Sequence, residues 1–231
     1  MSVYYARRPE EARAAHVLIL PGSKNTIPDL NWIRESGWET AVNAHFARGK
    51  PIAGICGGFQ MMGREIRDPY RAESDIEVIA GLNLLNVTTV LERNKVTRQA
   101  TARLIDPTPI RDSRGPLFSG YEIHLGETLL GDGTRSLFRL RRSGDDETRD
   151  DGAISEDGIV FGTYLHGLFD SRDGLAVLLA HWRRLCGKGG TDLSEAIDPL
   201  VERERRYDAL ADHFRRHMNM DVIYRELDCR R

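Results

Sequence analysis

An α/β fold on a doubly wound, mostly parallel sheet is what this 231-residue sequence predicts, and three observations predict it. Two apolar runs, 16–20 (HVLIL) and 51–55 (PIAGI), each lead into a glycine turn and then a helix-like segment. Strand–turn–helix units in succession demand parallel strands joined by crossovers. From about 76 to 140, β-branched and aromatic runs alternate with Gly and Pro turns, the pattern of antiparallel strands added to such a sheet. Beyond 173 the spacing is that of amphipathic helices.

In chain order, the start is unusual. Doubly wound domains open on a buried strand, whereas residues 1–6 are short and run into RRPEEARAA. Either VYYA (3–6) is an edge strand, or the first strand of the domain is missing from the chain. The strand at 16–20 ends at Pro21-Gly22. A helix follows over 29–36, stopped by Gly37, and another over 38–48, whose basic last turn before Gly49 suits the helix dipole. After the strand at 51–55, residues 57–66 have helical spacing. The runs 82–90, 99–105, 121–130 and 136–142 read as strands, 143–151 (SGDDETRDD) as a solvated hairpin loop, and 159–165 (IVFGTYL) as a further strand. With no repeat and no low-complexity linker, the chain reads as one domain, 1–231, of which 173–231 is a helical C-terminal segment.

Composition removes several classes. Lys and Arg number 33 against 35 Asp and Glu, so no basic footprint for nucleic acid exists. The longest apolar stretches fall far short of the roughly 20 residues a spanning helix needs, and the N-terminus lacks the apolar segment of a signal peptide. Three cysteines without repeated spacing argue against a disulfide framework and fit a reducing, cytoplasmic setting.

The chemistry concentrates in Gly54-Ile55-Cys56-Gly57-Gly58-Phe59-Gln60. An apolar strand running into a cysteine, then glycines, then a helix is the elbow that presents a nucleophile at the carboxyl end of a sheet. Small neighbours relieve the strained turn, the helix N-terminus favours thiolate over thiol, and the Gly57 N–H supplies one oxyanion-hole donor. A cysteine nucleophile needs a base. His16 opens a strand; His45, His181, His213 and His217 fall on helices and read as surface or boundary residues. The i, i+4 pair His213/His217 lacks the glutamate and third ligand of a metal site, so no metal is expected. His124 and His166 remain, and His166 is favoured because it lies just past a strand's carboxyl end between Gly162 and Gly167. Gly22, at the other strand-end loop, is placed to give a second oxyanion donor. Neither a GxxxxGK[ST] phosphate loop nor a GxGxxG pattern occurs.

The blocks LPGSKNTIPDL, GICGGFQMMG, GYEIHLGET and GTYLHGLFD, in this order, closely resemble the CobB/CobQ-type branch of the class I glutamine amidotransferases, in particular the amidotransferase domains of cobyric acid synthases. The resemblance spans nearly the whole chain and implies a flavodoxin-like domain in which Cys56 attacks the side-chain amide of glutamine and His166 moves the proton to departing ammonia. It implies oxyanion positions at Gly22 and Gly57, a glutamine contact at Gln60, and site- or channel-lining positions at Tyr121, Glu122 and His124. Most class I relatives place a glutamate two residues after the histidine. Leu168 stands there, a lack typical of this branch, which leaves the orienter of His166 unnamed.

The ATP-binding synthetase half of such enzymes has no match here. The resemblance therefore implies no cofactor in this chain, with ATP and Mg on the synthetase domain as partner, and a corrinoid reached only through that domain. The isolated chain would be at most a glutaminase. An amidotransferase subunit for cell-wall precursor amidation, a cysteine peptidase, and an inactive binding protein are the competing readings.

Overall fold

The computed structural model describes residues 2–105, 110, 117–189 and 198–228. Residues 2–7 take no strand conformation, so VYYA is not an edge of the sheet; a 3-10 turn at Pro9–Arg13 follows. Then come β1 (Leu18–Leu20), α1 (Thr26–Glu35), α2 (Trp38–Ala47), β2 (Ile52–Ile55) and α3 (Gly57–Met61). Helix α1 begins three residues before the sequence signal because its first amides are capped from far away. The Glu73 carboxylate accepts from Thr26 N–H (2.6 Å) and Ile27 N–H (3.3 Å).

The helix expected over 57–66 stops at Met61. The carbonyls of Met61 and Met62, which would continue it, accept instead from the amides of Leu82, Leu84 and Leu85 (2.7–3.0 Å). Ile66 consequently lies on a strand, β3 (Glu65–Arg67), and the apolar residues 82–85 form a loop rather than a strand.

The middle of the chain comprises β4 (Val78–Ala80), the long ribbon β5 (Val87–Leu104) and β6 (Leu117–Leu130), then β7 (Thr134–Arg135), β8 (Phe138–Arg142), β9 (Thr148–Asp151) and β10 (Ala153–Ser155). Strands β11 (Val160–Thr163) and β12 (Leu165–His166) precede α4 (Arg172–Leu185), α5 (Pro199–His217) and α6 (Met220–Asp228). Residues 190–197 and 229–231 of the expected helical tail lie outside the described residues. The acidic segment 143–151 is only partly a loop: β9 pairs with β8, and Asp151 is 7% exposed.

These strands form two sheets. In the first, ordered β1-β2-β11-β10-β7, the β1, β2 and β11 strands are parallel and the last two are antiparallel additions. The second, β12-β6-β5-β3-β4 with β8 and β9 on the other side of β5, is antiparallel apart from β3 beside β5. Period-2 alternation divides the core about the first sheet. Ile52 and Val160 face Ile27, Leu30 and Phe59 of the helices on one side. Ala53 and Phe161 face Phe118, Leu178 and Trp182 on the other.

Two histidines read as surface residues are in this core. His45 is 0% exposed with Nε2 3.2 Å from the Pro51 carbonyl, and His181 is 3% exposed with Nε2 2.8 Å from that of Gly158. His213 and His217 lie exposed on α5. Among the described residues no helix is long and apolar enough to cross a membrane, and no group of three His, Cys, Asp or Glu is placed to hold a metal.

Candidate active site

Cys56 sits between β2 and α3 at φ 52°, ψ −115°, a left-handed conformation that a residue with a Cβ holds only under strain of about 1–3 kcal/mol. Its neighbours allow this because they have no side chains. A Cβ on Gly58 would stand 2.2 Å from the Leu20 carbonyl oxygen, and one on Gly57 would stand 2.8 Å from the Ser23 amide nitrogen. The elbow is therefore wedged against the loop after β1, and Gly22 of that loop lies beside both catalytic candidates. The place its Cβ would occupy is 3.5 Å from Cys56 Cβ and 3.4 Å from His166 Cε1. Among the described residues neither the Gly22 nor the Gly57 N–H donates to a backbone carbonyl, and the Gly57 N–H supports the Cys56 sulfur.

His166 arrives from the second sheet. Thr163 ends β11 in the first sheet, and two residues later Leu165 and His166 pair with Glu122 and Tyr121 of β6. The corner between them is fastened by Asp151, whose carboxylate accepts from the Thr163 hydroxyl and from Tyr164 N–H (3.2 Å). The imidazole stacks on Tyr121, with rings 5.1 Å apart and 6° from parallel. The Ile123 carbonyl works to raise the proton affinity of the ring, while Nε2 is buried without a hydrogen-bond partner among the described residues. The Cys56 thiol donates to that same Ile123 carbonyl at 3.2 Å. One backbone oxygen of β6 thus holds the nucleophile and acts electrostatically on the base.

Electrostatics make the resting pair neutral. Burial pushes the Cys56 thiol up, against the downward pull of the Gly57 N–H and the Lys95 charge. This corrects the expectation of a resting thiolate: α3 is a five-residue helix, and its terminus does not outweigh desolvation. Burial pushes His166 down, so its imidazole is neutral and basic near pH 7.

Strand alternation puts Glu122 and His124 on one face of β6 and Tyr121 and Ile123 on the other. Glu122 is buried, accepts from Arg142 Nε (2.6 Å) and Nη2 (2.9 Å), and meets His124 Nε2 at 2.7 Å. Burial alone would raise its carboxyl; Arg142 and His124 outweigh it and hold it at about 2. His124 Nδ1 lies 2.7 Å from the Gly126 carbonyl, and its ring stacks on Tyr164 at 4.0 Å.

Gln60 is also fully engaged. Its amide nitrogen donates to Leu125 O (3.0 Å) and Tyr164 Oη (3.3 Å), and its oxygen accepts from the Thr26 hydroxyl (2.9 Å). It clasps α3 to α1 and β6. Burial pushes the Tyr164 phenol up to about 12, so it stays protonated within this cluster.

All of this surrounds one cavity of about 520 Å³ whose wall includes Gly22, Cys56, Gln60, His124 and His166. Tyr121 and Glu122 are not in that wall; they stand behind it. The wall also contains Glu73 and Lys95, which sequence reading did not single out.

Residues 1–174 match the CobB/CobQ-like glutamine amidotransferase domain, three quarters of the chain. The chain belongs to the CobB/CobQ-like glutamine amidotransferase family.

The chain is 41% identical over 224 residues to a cobyric acid synthase of Citrobacter koseri, covering 96% of the chain and 43% of that protein. It is 39% identical over 231 residues to one from Caldanaerobacter subterraneus, covering 99% of the chain and 45% of the relative. The chain thus spans less than half the length of these curated relatives. A solved structure of a GMP synthase component from Thermoplasma acidophilum shares the fold, with TM-score 0.51 and 15% identity over 78% of this chain and 77% of that one.

Leu168 stands two residues after His166, and the Ile123 carbonyl is the backbone group that acts on the imidazole. Sequence reading could not name the Ile123 carbonyl, because a backbone atom has no residue-type signature. Asp151 was missed because its acidic neighbours gave the segment a solvated look.

Proposed function

We propose that the chain hydrolyses glutamine through a cysteine thioester and delivers the ammonia to a synthetase partner of the cobyric acid synthase type. There ATP, with Mg, would activate carboxylates of adenosylcobyrinic a,c-diamide for amidation on the route to cobalamin. The observation that carries this reading is a neutral Cys56 thiol and a neutral His166 imidazole facing one carbonyl, beside the Gly22 and Gly57 amides, neither of which donates to a backbone carbonyl among the described residues.

The chemistry follows from that arrangement. When a glutamine side chain enters, His166 Nε2 takes the thiol proton as Sγ adds to the amide carbon. The oxygen of the tetrahedral adduct turns towards the Gly22 and Gly57 N–H groups, in a cavity walled on one side by the ribbon. His166 returns the proton to the departing nitrogen, and ammonia leaves a glutamyl thioester. His166 Nε2 then takes a proton from a water molecule as its oxygen adds to the thioester carbon, and returns that proton to the departing Cys56 sulfur as glutamate is released. The Ile123 carbonyl keeps the imidazole in register throughout, the service a carboxylate gives in a triad. Gln60 holds the wall on which glutamine rests, and His124 carries that wall towards the ribbon, the side from which ammonia would leave.

Mass spectrometry after incubation with a glutamine-analogue diazoketone tests the reading. One adduct on Cys56, prevented by excess glutamine and absent from Cys56→Ala, is the expected result. Failure of the folded chain to react, alone and with the synthetase domain supplied, would remove the proposal. ATP-driven amide formation by the chain alone would show that the partner is unnecessary.

A further inference from the structure

Three charged side chains of the cavity wall, Lys24, Glu73 and Lys95, have no part in the chemistry just described, and the last two act electrostatically on Cys56. Lys95 resumes the β5–β6 pairing after an irregularity between Val90 and Lys95, where the register shifts. Gly126 lets the opposite strand pass this point at φ 106°; a Cβ there would stand 2.5 Å from the Val90 carbonyl oxygen. The shift brings Lys95 to the cavity, close enough for its charge to pull on both Cys56 and His166. Among the described residues its ammonium makes no ion pair or hydrogen bond.

Glu73 stands in the same wall, half-buried. Its Oε2 caps α1 through Thr26 and Ile27 N–H, but its Oε1 has only a 3.5 Å approach from the Thr26 hydroxyl. That hydroxyl has one proton, and at 2.9 Å it goes to Gln60 Oε1. Among the described residues Oε1 is therefore a carboxylate oxygen without a close donor, partly withdrawn from water, in the same cavity wall as a cation without an anion. A burial-raised carboxyl and an unpaired ammonium in one cavity suit a ligand that brings one charge of each sign.

We propose that Lys95 and Glu73 form the site for the amino-acid end of the substrate. Lys95 takes the α-carboxylate and Glu73 Oε1 the α-ammonium, so that only a free α-amino acid places its side-chain amide at Cys56. The proposal rests on the glutamine reading and makes the site selective for free glutamine over a glutamine residue within a peptide, which lacks both charges.

The test is protection of Cys56 from iodoacetamide in the full chain, read by mass spectrometry and scaled to each variant's own unprotected rate, so that altered thiol reactivity cancels. Protectors are L-glutamine, glutaramate (no ammonium) and 4-aminobutanamide (no carboxylate). Lys95→Met is expected to raise the half-protecting glutamine concentration about tenfold to a hundredfold, the range for one charge-assisted hydrogen bond, and to leave 4-aminobutanamide within about twofold. Glu73→Gln is expected to weaken glutamine similarly and to leave glutaramate unchanged. Because Lys95 is exposed and unpaired, its variant tests the idea even where Glu73→Gln disturbs α1. Equal losses for all three protectors, or none for glutamine, would overturn the proposal. Absence of protection by glutamine in the unaltered chain would overturn the glutamine reading itself.

Discussion

The two sheets bring different things to one reaction. The first, with parallel β1, β2 and β11, presents the nucleophile by removing atoms: Gly54, Gly57, Gly58 and Gly162 let backbones and the Phe59 ring approach so closely that any Cβ would collide. The second presents the base by adding interactions. His166 is held by strand pairing to β6 and stacking on Tyr121, and is acted on by the Ile123 carbonyl that accepts from Cys56. A nucleophile can be placed by local geometry within one strand and turn. A base that must meet it from another part of the chain has to be carried there by a network.

The largest effects should come from cutting the two halves at their meeting point. Cys56→Ala and His166→Ala are each expected to lower glutamine hydrolysis by at least about 10³-fold, because residues acting as a unit lose nearly everything when either goes. Steady-state glutamate release, with the partner domain present, measures this. If His166→Ala retained a tenth of the activity, another base would have to be sought, and His124 is the one on the cavity wall.

Next come changes that leave the reacting atoms intact and attack each support. Glu122→Ala strands the half-buried Arg142 and His124 without their shared carboxylate and is expected to cost about 3 kcal/mol in chemical denaturation. Gly58→Ala forces a methyl group to within 2.2 Å of the Leu20 carbonyl and is expected to cost about 1–3 kcal/mol. The two should also separate in reactivity. Gly58→Ala moves the thiol itself and slows iodoacetamide labelling, whereas Glu122→Ala leaves alkylation of Cys56 closer to normal and depresses turnover through His166. Loss of labelling in both would mean that the sheets are not independent supports.

The same division explains what the amino-acid sequence reveals. The elbow is written in consecutive residues, since an apolar strand, a cysteine and two glycines state both the turn and the chemistry. The parallel strands and most helices are legible for the same reason. What the second sheet contributes is spread across long separations. Arg142 reaches Glu122 across β5, Asp151 fastens a corner twelve residues away, and Glu73 caps a helix 47 residues earlier. None of these pairings has a local period, and the helix expected over 57–66 is too long because its stop signal lies in the amides of 82–85. The buried histidines His45 and His181 escape a surface-or-boundary reading because each finds its carbonyl partner only in the folded chain.

The pH-dependent effect is the most discriminating, because it sets two buried carboxyls of the base-carrying network against each other. Glu122 is held at about 2 by its cations, whereas burial pushes Asp151 from 3.8 up to about 6 despite its hydrogen bonds from Thr163 and Tyr164. Their linkage to folding has opposite signs. Glu122 is ionised more readily in the folded chain, so its contribution is present above about pH 4.5 and lost as pH falls towards 2. Asp151 keeps its proton longer in the folded chain, so its contribution is complete below about pH 4 and lost as pH rises through 6. At about 1.4 kcal/mol per unit, each swing is of the order of 3 kcal/mol. Burial lowers His45, His166 and His181, which tilts the unaltered protein the other way as pH falls below the usual histidine range, so the test reads differences between variants. Subtracting the urea stability of Asp151→Asn from that of the unaltered chain, pH by pH, should give a curve that falls between pH 4 and 6. The same subtraction with Glu122→Gln should rise between pH 2 and 4.5 and then stay level. A flat Asp151 curve would mean that the carboxyl is ionised at the corner, and that the hydrogen bonds to Thr163 and Tyr164, rather than a retained proton, hold the chain where it crosses from one sheet to the other.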